Sequence, residues 1–278
     1  MSELAWNRYG KARVRLVKVR RQHDPHELVD LTLDVQLEGA FEPVYMSGDN
    51  RLCVATDTMK NTVYAFARNH DIDHVELFAE QLAAHFTAQP AVACVRISAT
   101  EQPWQRVSVG GRPHPHAFAQ AGGEQWTTVV TRDSEGTQVS SGLTNLVLLK
   151  TTDSAFADFA RDRFTTLPDS ADRILATAVT ALWRYQPGMR DFSVRERIRQ
   201  ALVETFAAHN SRSVQHTLYA MADAALAACA DVIDISLSMP NRHHLLVDLE
   251  PFGLDNPNEV FVATDQPYGL IEATVKRT

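Results

Sequence analysis

The sequence predicts an α+β fold, with antiparallel sheets that carry paired helices on one face. Three observations point to it. Runs of strict apolar–polar alternation occur near the start and again in the second half. Amphipathic helical stretches come in twos. The order strand, strand, helix, helix, strand, strand occurs twice, with little residue identity between the halves. A chain of 278 residues is long enough for one large domain or two ordinary ones. The expected division is an N-terminal unit, 1–135, and a C-terminal unit, 136–278, meeting at the polar stretch Arg132-Asp-Ser-Glu-Gly-Thr137.

The elements follow in order. From Lys11 to Arg20 the pattern alternates, with Ala12, Val14 and Leu16 pointing one way and Lys11, Arg13 and Arg15 the other. Val29, Leu31, Leu33, Val35 and Leu37 alternate with polar residues, as in a half-buried strand. His23-Asp24-Pro25 is a turn-like link, so the two strands form a hairpin. At Thr56-Asp57 an apolar run gives way to a helix with Met59, Val63, Phe66 and Ala67 on one face. Its start has two readings. The Thr and Asp side chains can cap the first-turn amides, or those amides and the Thr hydroxyl can hold a flat anionic ligand. The next helix opens with Asp73-x-x-Glu76, a capping-box pattern, and buries Val75, Phe78, Ala79, Leu82, Ala83 and Phe86. Strands at Val92–Ile97 and Trp126–Thr131 complete the half.

The second half repeats the order. Strands at 143–150 and 174–185 precede a helix that opens with Ser193-x-x-Glu196 and buries Val194, Ile198, Ala201, Leu202 and Phe206. A helix from about Val214 follows, with Leu218, Met221, Ala222 and Ala225 on one face. Ile233, Ile235, Leu237 and Met239 then alternate with polar residues, and further strand lies at 245–249 and 269–275. Helices can cover only one face of such sheets, so open edges predict oligomerisation.

Composition excludes several classes. With 45% hydrophobic and 22% charged residues the chain is an ordinary globular one. The net charge of -7, from 34 acidic and 27 basic residues, argues against a nucleic-acid partner but leaves room for a small anion in a local basic pocket. Cys53, Cys94 and Cys229 are far apart and form no C-x-x-C, so neither a disulfide framework nor a cysteine zinc site is expected. Reduced thiols suit the cytoplasm. No apolar run is long enough to span a bilayer, the N-terminal residues do not resemble a signal peptide, and Lys276-Arg277-Thr278 is not a peroxisomal address. Phosphate-loop, dinucleotide, zinc-protease and serine-hydrolase motifs are absent. His114-Pro-His116 lacks a third ligand and reads as a solvated loop. His243 and His244, adjacent in a strand, point to opposite faces. No metal and no cofactor are expected.

Polar residues at element ends remain. Asn241-Arg242-His243 follows Pro240 between two strand patterns, Ser213-Val214-Gln215 begins a helix, Asp172-Arg173 begins a strand, and Phe156 lies in Asp153-Ser-Ala-Phe-Ala-Asp-Phe. Each also reads as structure: surface charge, an exposed helix start, a core aromatic. Together with their neighbours, however, these segments resemble the urate oxidase (uricase) family along nearly the whole chain. Tyr9-Gly-Lys11 resembles the family's lysine motif, and Val54-Ala-Thr-Asp-Thr-Met-Lys-Asn-Thr-Val-Tyr64 its threonine-bearing helix start. Phe164-Thr-Thr-Leu-Pro-Asp-Ser-Ala-Asp-Arg-Ile-Leu175, with Phe156 seventeen positions before Arg173, resembles its arginine segment. Ser213-Val-Gln-His-Thr-Leu-Tyr219 and Met239-Pro-Asn-Arg-His243 resemble its glutamine and asparagine–histidine segments.

The resemblance implies Lys11, Thr56 and His243 as a proton-handling triad. It implies Thr56, Asp57, Phe156, Arg173, Val214, Gln215 and Asn241 as substrate contacts. It further implies tandem tunnelling-fold units that close into a barrel on oligomerisation, and a homotetramer with sites between subunits. The reaction would be oxidation of urate by dioxygen to 5-hydroxyisourate and hydrogen peroxide, without metal or organic cofactor. The residue types suit that chemistry. An arginine fork can make parallel bonds to a planar anion, a glutamine amide can donate and accept on the neighbouring edge, and a phenylalanine face can stack on flat rings. Val214 could bond the ligand only through its backbone amide, and Asn241 with Thr56 could cradle dioxygen. Two rival readings are a pterin or purine cyclohydrolase, which usually needs a zinc site or an acidic anchor, and a purine-binding protein without the reaction, whose mark would be a broken triad.

Overall fold

The computed structural model describes residues 2–22 and 24–278, with Asp265 described by its backbone alone. His23 of the expected turn lies outside the described residues. The chain forms two compact units. One runs to Leu143 and includes Arg184–Ser193; the other comprises Thr144–Trp183 and Val194–Thr278.

In the first unit, β1 (Tyr9–Arg20), β2 (Glu27–Gly39), β3 (Val92–Glu101) and β6 (Gln125–Arg132) pair in that order, each antiparallel to the next. β7 (Thr137–Lys150) lies beside β6 and is divided between the units. Between β2 and β3 come α1 (Glu42–Met46), α2 (Thr56–Asn69) and α3 (Val75–Thr87). The alternation of β2 does what it predicts, since Leu31, Leu33, Val35 and Leu37 are all fully buried. Met59 and Val63 of α2 and Phe78, Leu82 and Phe86 of α3 are buried too, with α2 against β1 and α3 against β3 and β6. Each such side chain contributes about 1.5–3 kcal/mol on leaving water. The second unit orders β7, β8 (Leu175–Tyr185), β9 (Val232–Leu246) and β10 (Phe261–Lys276). Its helices are α4 (Val194–Ala208) and α5 (Val214–Ala228), and α5 packs on β9 and β10. The expected α+β class and its antiparallel pairing are thus present in both units.

Five local expectations need correction. First, Lys11 does not share a face with Arg13 and Arg15. Lys11 pairs with Val35 and Val14 with Leu33, so Ala12 and Arg13 together oppose the single residue Asp34. This is a β-bulge, which reverses the parity of the strand. Directly opposed residues share a face, so Lys11 lies on the buried side with Val14 and Val35, and Ala12 is exposed. Second, Thr56 and Asp57 do not cap α2. The N-cap is Ala55, no side-chain cap bond is made among the described residues, and Thr56 and Asp57 are the first helical residues. Third, the capping box at Asp73-x-x-Glu76 is not made. The N-cap is His74, Asp73 accepts from Arg20 at 2.5 Å, and Glu76 is fully buried, accepting from the Ser141 hydroxyl. Fourth, His114 and His116 lie in a strand, β5 (Arg112–Gln120), which pairs with β4 (Trp104–Val109). Fifth, Asn241-Arg242-His243 does not separate two strands; β9 runs through it.

Candidate active site

The first unit holds Lys11, Thr56 and Asp57. Three features place them. The bulge turns Lys11 onto the face where α2 packs. The Tyr9 phenol accepts from the Val54 amide at 2.8 Å, which ties the start of β1 to the segment entering α2. Burial raises the Tyr9 hydroxyl above its ordinary pKa, with the Cys53 side chain adding to the effect, so the phenol stays neutral. Gly10 lies between, and a Cβ there would come within 1.9 Å of the Val35 carbonyl oxygen. Only glycine permits that approach of the strands.

The uncapped start of α2 leaves the amides of its first turn available to a ligand, and the helix dipole favours an anion there. The Asp57 carboxylate turns away from those amides. It accepts from Lys60 at 2.5 Å and from the Asn61 amide at 2.9 Å. The bond from Lys60 is the main reason its pKa lies below the usual carboxylate range, and the nearby charge of Lys11 acts in the same direction. Thr56 and Asp57 are both exposed in the single chain.

The second unit holds the other six residues. Phe156 and Arg173 meet directly, with the guanidinium 5.1 Å from the ring centroid. Backbone bonds bring them together. Phe156 and Ser170 exchange a reciprocal pair at 2.8 and 2.9 Å, and the Arg173 amide donates to the Ser154 carbonyl at 2.7 Å. Asp172 accepts from the Thr152 hydroxyl and the Ser154 amide, at 2.6 and 3.1 Å. A parallel bridge between Ser154 and Ser211 then joins this segment to the approach of α5. There the Ala155 amide donates to the Ser211 carbonyl at 2.7 Å.

Ser213 caps α5, its hydroxyl accepting from the His216 amide at 3.1 Å. Val214 and Gln215 are therefore the first two helical residues, one buried and one exposed. Ser213→Ala is expected to lower stability by about 1 kcal/mol, read as a lower urea midpoint with an unchanged slope.

Arg173 is the most electrostatically unusual of these groups. Its Nε is buried and has no hydrogen-bond partner among the described residues. Burial lowers its pKa from the ordinary arginine value, yet a guanidinium stays charged at any physiological pH. It lines a cavity of about 440 Å³ with Asp172, His244, Leu246 and Phe261. A cation over an aromatic ring, with an unused buried N–H, is suited to a flat anion.

Asn241 and His243 form their own pair on β9. They continue the face of Ile235, Leu237 and Met239, and Asn241 is 9% exposed. Asn241 pairs with Gly269 and His243 with Thr264, across a bulge in β10. His244 points the other way, as strand geometry requires. Among the described residues no three His, Cys, Asp or Glu side chains form a cluster that could hold a metal ion. The three cysteines are free, Cys229 buried and the others half-buried.

Sequence reasoning assigned no role to Tyr9. Tyr9 stood inside a quoted motif, but nothing in a linear pattern shows that its phenol reaches Val54.

Comparison with known proteins gives a consistent result. The family model described as Uricase matches residues 7–131 and 139–272. A uricase of Arthrobacter globiformis is 45% identical over 276 residues, covering 99% of this chain and 90% of that protein. A uricase of Dictyostelium discoideum is 37% identical over 283 residues, covering 100% and 99%. The crystal structure of the Arthrobacter globiformis uricase matches with a TM-score of 0.95 at 45% identity, over 100% of this chain and 96% of that one. A uricase from Bacillus fastidious shares the fold, with a TM-score of 0.85 at 23% identity over 97% and 93%.

Proposed function

The chain belongs to the uricase family, and from that premise we propose that it is a urate oxidase. Urate, dioxygen and water are converted to 5-hydroxyisourate and hydrogen peroxide. The substrate loses two electrons and gains a hydroxyl from water, and dioxygen takes up two electrons and two protons. The single observation that carries this reading is the Arg173 guanidinium over the Phe156 ring, with a buried Nε free to donate. A planar anion would stack on Phe156 and take two parallel bonds from the arginine. Gln215 and the Val214 amide, at the capped start of α5, would bond the adjoining edge. The exposed amides and hydroxyl at Thr56, with Asp57, would meet the remaining edge.

Urate is electron-rich once deprotonated and can itself give electrons to dioxygen. The protein's task is then placement and proton movement. Lys11 and Thr56 form the proton path, His243 orients or resupplies it, and Asn241 with Thr56 holds dioxygen or water above the ring. The assay is loss of urate absorbance in air with stoichiometric peroxide, by protein first treated with chelator. Absence of peroxide would overturn the oxidase reading, and loss of activity on chelation would overturn the cofactor-free one.

The proposed assembly is a homotetramer whose pockets draw on two chains. It is supported by the division of the candidate residues into two sets, Lys11, Thr56 and Asp57 in one unit and the other six in the second. The strand order also leaves β1 and β10 with one neighbour each, and such edges are commonly closed by partners. Sedimentation with parallel assays on dilution tests it. A fully active monomer would rule out shared sites.

A further inference from the structure

We propose that Asp34 is a positioning residue for the reaction. Through its bond to the Arg13 amide it holds the bulge that turns Lys11 toward the start of α2. This rests on the reading of Lys11 as a proton carrier.

The bulge needs holding. Arg13 has φ of +56°, in the left-handed region, which a residue with a Cβ adopts only against a steric penalty. Glycine or asparagine would be the natural choice there. No feature of the arginine side chain favours that backbone, and the residue is exposed. What opposes the penalty is across the strand. The Asp34 carboxylate accepts from the Arg13 amide at 2.6 Å, a charge-assisted bond of the short, strong kind. Asp34 is also the one residue on β2 that faces the two bulged residues, Ala12 and Arg13, and its own backbone pairs with Ser98 on β3. The acceptor is therefore fixed to the middle of the sheet.

The consequence for Lys11 follows from parity. With the extra residue, Lys11 stands opposite Val35 on the helix-covered face. Without it, a regular strand would carry Lys11 on the face of Arg15, across the sheet from α2. The influence of Lys11's charge on Asp57 agrees with the first arrangement. Tyr9 shares the same shifted segment and contacts Phe41 edge-on at 4.8 Å, so the bulge is the boundary between two registers of one strand.

The experiment compares Asp34→Ala, Asp34→Asn, Arg13→Gly and the double variant Asp34→Ala/Arg13→Gly, with Lys11→Met as reference. Turnover of urate, affinity for xanthine as a planar competitor lacking the 8-oxo group, and hydrogen exchange at the Arg13 amide are measured on each. Asp34→Ala is expected to lower turnover by roughly 10–100-fold, the scale of a small misplacement of a reacting group. Its xanthine affinity should stay within about threefold of the parent, and its Arg13 exchange should quicken. Asp34→Asn keeps an acceptor oxygen and should retain most of the turnover. The double variant should recover it, because glycine takes the left-handed backbone without help.

Parental turnover in Asp34→Ala, or no recovery in the double variant, overturns the proposal. If Asp34→Ala does not fold, Arg13→Val against Arg13→Gly decides the matter. A β-branched residue at this backbone should lose turnover and glycine should keep it; equal turnover in the two overturns the proposal. Failure of the underlying reading looks different. Lys11→Met would then turn over urate like the parent, while quickened exchange in Asp34→Ala would still report the bond.

Discussion

Replacing Lys11 with methionine is expected to lower urate turnover by about 10²–10⁴-fold, the usual scale for a positioned acid or base, while xanthine affinity and the thermal midpoint stay near the parent's. The structure sharpens this expectation. A lysine on the outer face of an edge strand would be solvated, and its loss would shift stability by less than about 0.5 kcal/mol. Lys11 instead lies on the helix-covered side and is half-buried, opposite the fully buried Val35. Methionine has nearly the same length and fills the same space without the amine. A loss confined to turnover separates a role in the transition state from uniform binding. Near-parental turnover would reject Lys11 as proton carrier, and a parallel loss of xanthine affinity would recast it as a binding group.

The second large effect is expected at Arg173. Arg173→Ala should weaken urate binding by roughly 3–5 kcal/mol, the cost of removing one partner of a desolvated charge pair. Gln215→Ala should cost about 1–3 kcal/mol, since it removes neutral bonds. The ranking follows from the environment of each. Arg173 is half-buried, and its buried Nε has no partner among the described residues. Gln215 is exposed at a helix start. The fixed backbone of the arginine, bonded to Ser154 at 2.7 Å, argues that alanine leaves the surrounding chain in place. Competitive titration with xanthine ranks the two variants. A weaker complex with Gln215→Ala than with Arg173→Ala would move the anion anchor to the glutamine.

The sheet and helix layers could be read from sequence because burial imposes a period. Leu31, Leu33, Val35 and Leu37 follow the strand period, and Met59, Val63 and Ala67 the helical one. What escaped is what depends on contacts distant in the chain or on backbone a pattern does not encode. Glu76 looked like a capping-box residue, because the motif is local; its hydroxyl partner Ser141 is 65 positions away. Arg13 carries none of the usual marks of a left-handed residue, so the alternating pattern alone places Lys11 on the wrong face. Asp57 has the residue type of a cap, but Lys60 and Asn61, one turn on, take its oxygens. His114-Pro-His116 reads as a loop for its proline and missing third ligand, yet the edge ribbon accommodates prolines, Pro113 opposite Ser108 and Pro115 in the irregular stretch of the register. The candidate residues themselves were identified by family resemblance. No period or spacing predicts that Phe156 and Arg173 should meet.

The bonds that join residues 154–156 to 170–173 and to Ser211 run largely between main-chain atoms. Main-chain bonds do not depend on the side chain, so the bond from the Ala155 amide to the Ser211 carbonyl survives any substitution there that keeps the amide and fits the half-buried site. Proline has no amide to give the Ser211 carbonyl and would break that bond. For anyone building a combinatorial library around Arg173, the main-chain frame that holds it survives substitutions that keep these amides.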